Sequence, residues 1–587
     1  MPAIISEKFR IFNAKQFLES LSEGSGDTDA NRSRMYFYVG RPQAWRAFLE
    51  VYGVSSTAFS VGESVYVGGS LGASTFNGVV SEVFPNSLLL TGIGPTVGAV
   101  PAAGSTLTGN TSAATAKTGV YRYATEDIPT APIDNQEEKF EVYDDLIALK
   151  RITSSYARHV IRRYNWDLSA NPKYDMWKPD YSALKLTATG ESSMATAKYA
   201  VMNDQYEVFV CLFNGTSPAN LNGVNATYPP RTVPVSGEGT YSSGVYTEPS
   251  GNYVWKYVYT IPTDDVIKFL STDFMPICTY QGPTVVDGAI STVKLTDAGS
   301  GLPTSATLFA AIQGDGSGGK VQITTNGSGN ITAVSVNAAG TGYTYGNVVL
   351  KNGYLYTNSS LATLATVGGT ARGQVEVVIP PQGGHGADLV LELNAKRIMT
   401  NIRLTYAEGS GDFPVDNDFR RIGIIQDPLQ YGSTSFLTAD NASGLYAVKL
   451  SSVSGNYVVD EIITQSNSGL ISKGRVVSWT LDSGSTVNGV LKYYQSPSEH
   501  ADNGVVRPFV STGANPITGA SSGRTGTVNT TYNAALLGVT FASGLANPEV
   551  KNNSGEIIYS ENRRLITRAA DQIEDIKLVI EFWYHII

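Results

Sequence analysis

Three stretches of this 587-residue chain, 51–119, 284–382 and 449–545, are rich in Gly, Ser, Thr and Val and poor in charge. Such a composition favours short strands joined by tight turns. Glycine serves turns that other residues avoid, and β-branched side chains pack well on a pleated surface. In the first stretch the apolar runs 59–67, 76–83 and 87–90 recur at the spacing of a small barrel or sandwich. In the second, Gly288 leads through an apolar run to Gly299 and Gly301. Gly329 leads likewise to Gly340 and Gly342, a repeat of 41 residues that predicts two stacked β-units. In the third, 460–463 and 474–479 resemble the pair 62–67 and 78–83 of the first, and 489–494 adds a further strand.

The remaining segments, 1–50, 120–283, 383–448 and 546–587, carry more charge and more aromatic side chains. Together these shifts predict a mainly β protein with a few helices (α+β). A discontinuous β-rich core made of those four segments carries three inserted small β domains, barrel or sandwich-like, at 51–119, 284–382 and 449–545. Apolar alternation places strands at 34–41, 206–213, 253–262, 395–406 and 420–425. Phe9, Phe12, Phe17, Leu18 and Leu21 suggest the apolar face of an N-terminal helix. Leu146, Leu149, Ile152, Tyr156 and Val160 suggest a second helix over 142–161, with Arg158, Arg162 and Arg163 in its last turns, where cations suit the dipole.

The C-terminal stretch reads as two strands. Residues 556–559 are followed by a polar knot, Ser560-Glu561-Asn562-Arg563-Arg564, expected to connect them. From Ile576 apolar and polar positions then alternate.

Composition narrows the function classes. A net charge of −9 argues against a nucleic-acid partner. Two cysteines, Cys211 and Cys278, are too few for a disulfide framework and are expected to be reduced and buried. The opening MPAIISEKFR has charges where a secretory leader is apolar, and no apolar run spans a bilayer. Synthesis in a cytoplasm and no membrane contact are therefore expected. The four histidines, His159, His385, His500 and His585, fall in no metal-ligand spacing. The glycines of 314–319 match a dinucleotide-binding pattern, but β-type residues follow instead of a helix, so they read as a turn. Asp412, Asp416 and Asp418 lack the glycine and distal glutamate of a calcium loop. No cofactor, metal or catalytic residue is predicted. A glycosidase pair of carboxylates assembled in space, or an aromatic sugar platform in one insertion, is the alternative: a carbohydrate-binding or carbohydrate-active protein.

Five segments carry a resemblance. They are Ile5-Ser6-Glu7-Lys8-Phe9-Arg10; Phe37-Tyr38-Val39-Gly40-Arg41 with Trp45; and Gly251-Asn252-Tyr253-Val254-Trp255-Lys256-Tyr257 through Ile261-Pro262. The fourth is Arg421-Ile422-Gly423-Ile424-Ile425 through Asp427-Pro428-Leu429. The fifth is 554–559 with Glu561-Asn562-Arg563, Asp571-Gln572 and the final strand. In their order and their placement at both ends, they resemble the dimer-forming baseplate wedge subunit of T-even-like contractile-tailed bacteriophages. The match covers a little over half of the chain, and the three insertions have no counterpart in the smaller family members. The resemblance implies a non-enzymatic virion protein of the tail baseplate. It implies a homodimer that contacts other wedge proteins and peripheral fibre or spike parts. Arg41, Trp45, Trp255, Glu561, Asn562 and Arg563 are the structural or interaction candidates it marks, with Arg563 expected to pair with a carboxylate or carbonyl.

Overall fold

The computed structural model describes residues 6–21, 34–41, 47–96, 99–122, 132–167, 172–250, 252–368, 371–405, 420–459, 461–495, 500–502, 505–513, 515–563 and 573–582. The chain is mostly β, with several sheets and few helices. It divides into two compact units. One holds Met1–Ser20, Ser154–Asn401 and Lys577–Ile587; the other holds Leu21–Thr153 and Ile402–Ile576.

In the first unit, a five-stranded sheet runs in the order Ala200–Met202, Glu207–Asn214, Tyr253–Thr260, Val245–Thr247, Thr240–Ser242. Its central strands read EVFVCLFN and YVWKYVYT, and nearly every residue of the first is buried, as expected of a strand covered on both faces. The same unit contains the glycine repeat. All six repeat glycines, Gly288, Gly299, Gly301, Gly329, Gly340 and Gly342, have φ between 58° and 78°. The two copies are reciprocal. A Cβ on Gly288 would strike the Tyr343 backbone at 2.2 Å, and one on Gly329 the Leu302 backbone at 2.4 Å. The Leu302 amide donates to the Gly329 carbonyl (3.2 Å) and the Tyr343 amide to the Gly288 carbonyl (3.3 Å). Leu302 and Tyr343 are themselves equivalent in the repeat, so the opening turn of each copy seats on the closing turn of the other. Gly314 to Lys320, the apparent dinucleotide motif, joins Thr307–Gly314 to Lys320–Thr325 as an antiparallel hairpin.

In the second unit, Ala47–Tyr52, Ser64–Gly68, Ser74–Phe84, Ser87–Gly94, Thr106–Gly109 and Thr115–Arg122 close into a six-stranded barrel. Numbered along the chain, the strands follow the cyclic order 1-4-3-2-5-6. Tyr446–Ser451, Ile462–Asn467, Leu470–Leu481, Gly489–Tyr494, Ile517–Gly519 and Thr525–Val528 repeat that order, and pairing of the first with the fourth closes the ring again. The unit thus holds two barrels of one topology.

The same carboxylate device braces both. Glu63 accepts from the amides of Ser60 (2.6 Å), Thr111 (3.1 Å) and Ser112 (3.0 Å) and from the Ser112 hydroxyl (2.8 Å). Glu461 accepts from the amides of Val458 (2.7 Å), Ser521 (3.0 Å) and Ser522 (2.9 Å) and from the Ser522 hydroxyl (2.8 Å). Each glutamate ties the entry to the second strand onto the turn between the fifth and sixth. A buried carboxylate with four donors is fully satisfied, which makes this a strong local clamp. Burial raises the Glu63 carboxyl, but donation from Ser112, Ser60 and Thr111 outweighs it and holds the group below its ordinary value.

Three expectations are corrected. Residues 142–161 are not one helix. The helix Gln136–Asp145 ends at Leu146, and Leu146–Arg151 and Ala157–Arg162 are strands. The three- and four-residue spacings arose from two short alternating segments and the bend between them. β-Branched residues and antiparallel pairing of 146–151 with Met35–Gly40 decide for strand. Arg158, Arg162 and Arg163 accordingly sit on and just after a strand, with Arg158 paired to Asp265 at 3.3 Å. The helix Glu7–Ser20 forms, but it buries Ile11 and Ala14 and leaves Phe9 and Phe12 half exposed. The polar knot is not wholly a connection, because the strand Glu556–Asn562 runs through Glu561 and Asn562. In the C-terminal strand Ile573–Glu581, the alternation is seen: Ile576 and Leu578 are buried, while the Lys577 ammonium donates to the carbonyls of Ile267 and Leu270.

Candidate functional site

In the second unit, a five-stranded sheet brings together strands that are far apart in sequence. Met35–Gly40 lies beside Arg421–Gln426, which lies beside Glu556–Asn562. Gly40 faces Arg421 in register, and Arg421 faces Asn562. A Cβ on Gly40 would stand 3.2 Å from that of Arg421 and 3.3 Å from the Asp145 carbonyl oxygen, so a glycine here leaves room for the stem of the Arg421 side chain.

The Arg421 side chain is fully buried. Its Nε donates to Asn562 Oδ1 at 3.1 Å. Its terminal nitrogens face Glu138 at 3.0 Å, Glu141 at 3.7 Å and Asp145 at 3.7 Å, all on the helix Gln136–Asp145. Asp145 also pairs with Arg41 at 3.2 Å, and the Arg41 guanidinium lies 3.3 Å from the centroid of the Tyr494 ring. A buried guanidinium costs several kcal/mol to desolvate, of the order of a whole domain's net stability, unless carboxylates surround it. Here three carboxylates from one helix do so. Burial raises the Glu138 carboxyl, with Arg421 opposing, and burial likewise pushes the Tyr38 phenol up to about 12. The Tyr143 hydroxyl donates to the Ser554 carbonyl and fixes the same helix to the chain just before the strand Glu556–Asn562.

The candidates marked by sequence are distributed as follows. Arg41 and Asn562 join this network through Asp145 and Arg421. Glu561 accepts from the Tyr559 hydroxyl at 2.7 Å and faces Arg563 at 3.5 Å; the Arg563 amide donates to the Arg420 carbonyl at 2.5 Å. Trp45 lies outside the described residues, as do Asp412, Asp416, Asp418, Arg564, Asp571 and Gln572. Trp255 belongs to the other unit and is fully buried, stacked on Tyr253 and edge-on to Trp166 and Tyr174. It is a core residue, not a contact surface. Arg421 itself, the centre of the network, stood in sequence as the first residue of the fourth segment of the resemblance and was not singled out as a candidate.

The first unit contains a cleft of about 500 Å³ whose wall includes Lys178, Lys185, Lys294 and Glu376. Lys178 reaches Glu376 at 2.8 Å and Asp180 at 3.2 Å, and Asp180 also holds Lys185 at 2.8 Å. Asp180 and Glu376 thus share one ammonium, the arrangement here to weigh against a glycosidase's carboxylate pair. Lys178 occupies the position between them, where a glycosidic oxygen would have to sit. Burial raises the Asp180 carboxyl, but bonds from Lys185 and Lys178 outweigh it and hold the group low, unlike a general acid. His159 is pushed down to about 4 by burial, and Cys278 up to about 12 by burial beside Asp265. Among the described residues no group of His, Cys, Asp and Glu is arranged to hold a metal ion, and no helix is long and apolar enough to cross a membrane.

No family model matches the chain, and no curated protein matches it either.

Proposed function

We propose that this protein is a non-enzymatic structural subunit of a contractile phage-tail baseplate, a dimer that joins neighbouring wedge proteins and peripheral fibre or spike parts. One observation carries the reading. Three segments of the resemblance, from near the start, the middle and the end of the chain, are adjacent strands of a single sheet. That is the behaviour of a scaffold into which surface-bearing insertions can be placed, since long insertions cost little closure entropy. The twin barrels and the glycine-repeat domain then serve as added contact surface. The blocked carboxylate pair beside Lys178 weakens the glycosidase alternative.

Deleting the reading frame from the phage genome that carries it tests the proposal. Lysates examined by electron microscopy should contain heads and tails without assembled baseplates, restored by the gene in trans. Infective particles of normal morphology would overturn it. Sedimentation of the purified protein at micromolar concentration should give a dimer.

A further inference from the structure

The charges around the cleft in the first unit do not cancel. Lys178, Lys185 and Lys294 bring three ammonium groups, and Asp180 and Glu376 two carboxylates. Lys294 lies directly across the ladder from Glu376, yet Glu376 turns to Lys178. Lys294 is half-buried and makes no hydrogen bond or ion pair among the described residues. Burial, and then the neighbouring Lys178, lower its affinity for a proton. A cation kept partly out of water without a partner is costly, and this one borders an open cleft. The same wall carries Leu186, 56% exposed, and Leu221, 76% exposed. Exposed leucines lining the same cleft as an uncompensated charge describe the occupant on both counts.

We propose that this cleft docks a short segment of a partner protein in which a carboxylate side chain stands between apolar ones. The carboxylate pairs with Lys294, and the apolar neighbours cover Leu186 and Leu221. One uncompensated charge calls for a monoanion; a phosphate dianion would leave a charge in excess. A saccharide would set hydroxyls against the leucines, which favours a peptide as occupant. The inference rests on the assembly reading for the kind of occupant, and on the cleft's own charge for its chemistry.

The test is lysine footprinting of the full-length protein, with mass spectrometry reading the rate of amine modification at Lys294 against other lysines. The probes are the blocked tripeptide Leu-Glu-Leu, its neutral analogue Leu-Gln-Leu, galacturonic acid and inorganic phosphate, each in millimolar excess. The acidic tripeptide should slow modification of Lys294 about threefold or more, as occupancy of about two-thirds requires, and the other three should leave it unchanged. A Leu186→Ser, Leu221→Ser double variant should lose the protection, while unchanged modification rates at lysines outside the cleft report an intact fold. Equal protection by galacturonic acid or phosphate would make this a general anion site and overturn the proposal. So would absence of protection by the acidic tripeptide. If deletion of the gene abolishes baseplates while the acidic tripeptide gives no protection, the assembly reading stands and this one falls.

Discussion

The two barrels of the second unit share a strand order and a carboxylate clamp, yet their fillings differ. The first is packed by Phe59, Phe76, Leu88, Leu90 and Leu107. The second has Tyr457 where the first has Phe59, four residues before the clamp glutamate in each, and the Tyr457 hydroxyl donates to the Ile517 carbonyl at 2.8 Å. The link between the fourth and fifth strands is also longer in the second barrel and brings in Phe509, packed edge-on to Tyr493 at 4.8 Å. Around the clamp the match extends to single bonds. Ser55 and Ser454 each accept from the sixth strand's first amide through the side-chain oxygen, and each donates its own amide back to that residue's carbonyl. Polar clamps are therefore retained where apolar packing has changed. A core tolerates substitutions of similar volume, whereas a buried carboxylate loses its function when any donor moves.

The comparison supplies its own control, because each barrel can be perturbed while hydrogen exchange reports on both. The largest effect is expected from the equivalent aromatics. Phe59→Ala and Tyr457→Ala should each lower protection of their own barrel by about 3–5 kcal/mol, with the other barrel unchanged. Equal loss in both barrels would show that they unfold as one. Glu63→Ala and Glu461→Ala each strand three amides and a hydroxyl. Each should cost about 2–4 kcal/mol, and a clear inequality would show that the clamps are alike only in outline.

The pH dependence of the first clamp follows from its sign. The Glu63 carboxyl is held below its ordinary value of 4.5, so the unfolded chain binds a proton first as pH falls. The stabilisation is fully present above that value and is lost as pH drops through the lower, folded one. The advantage of the wild type over Glu63→Gln in the first barrel should therefore shrink below pH 4.5. An advantage that stays constant to pH 3 would contradict this sign. The smallest effect concerns the first turn of each barrel, where Gly53 has φ 62° and Ser452 φ 55°. Gly53→Ala should cost about 1 kcal/mol and Ser452→Gly should be neutral or stabilising by less than that. A stabilising Gly53→Ala or a destabilising Ser452→Gly would show that the two turns are not equivalent.

Much of the fold was legible because it is written in local chemistry. Strand alternation at 34–41, 253–262 and 489–494 located strands now seen at Met35–Gly40, Tyr253–Thr260 and Gly489–Tyr494. The repeat of 41 residues located glycines that all adopt positive φ. The site was legible only in part. Asn562 and Arg41 stood out within segments of the resemblance, but Glu138, Glu141 and Asp145 looked like ordinary acidic residues. Their role needs the helix that carries them to pack on a strand nearly three hundred residues later. The helix expected over 142–161 failed for the same reason, since an edge offered by Met35–Gly40 outweighs a spacing that also suits a helix.

By itself, then, the sequence determined the β character, most strand positions and the left-handed turns, because each depends on neighbours within a few residues. Tertiary structure decided that two stretches alike in sequence at only one pair of strands are closed barrels of one topology, and that a run beginning Arg421-Ile422 places a buried cation among three carboxylates. Strand order and charge burial are set by contacts between distant segments, and no local pattern records them.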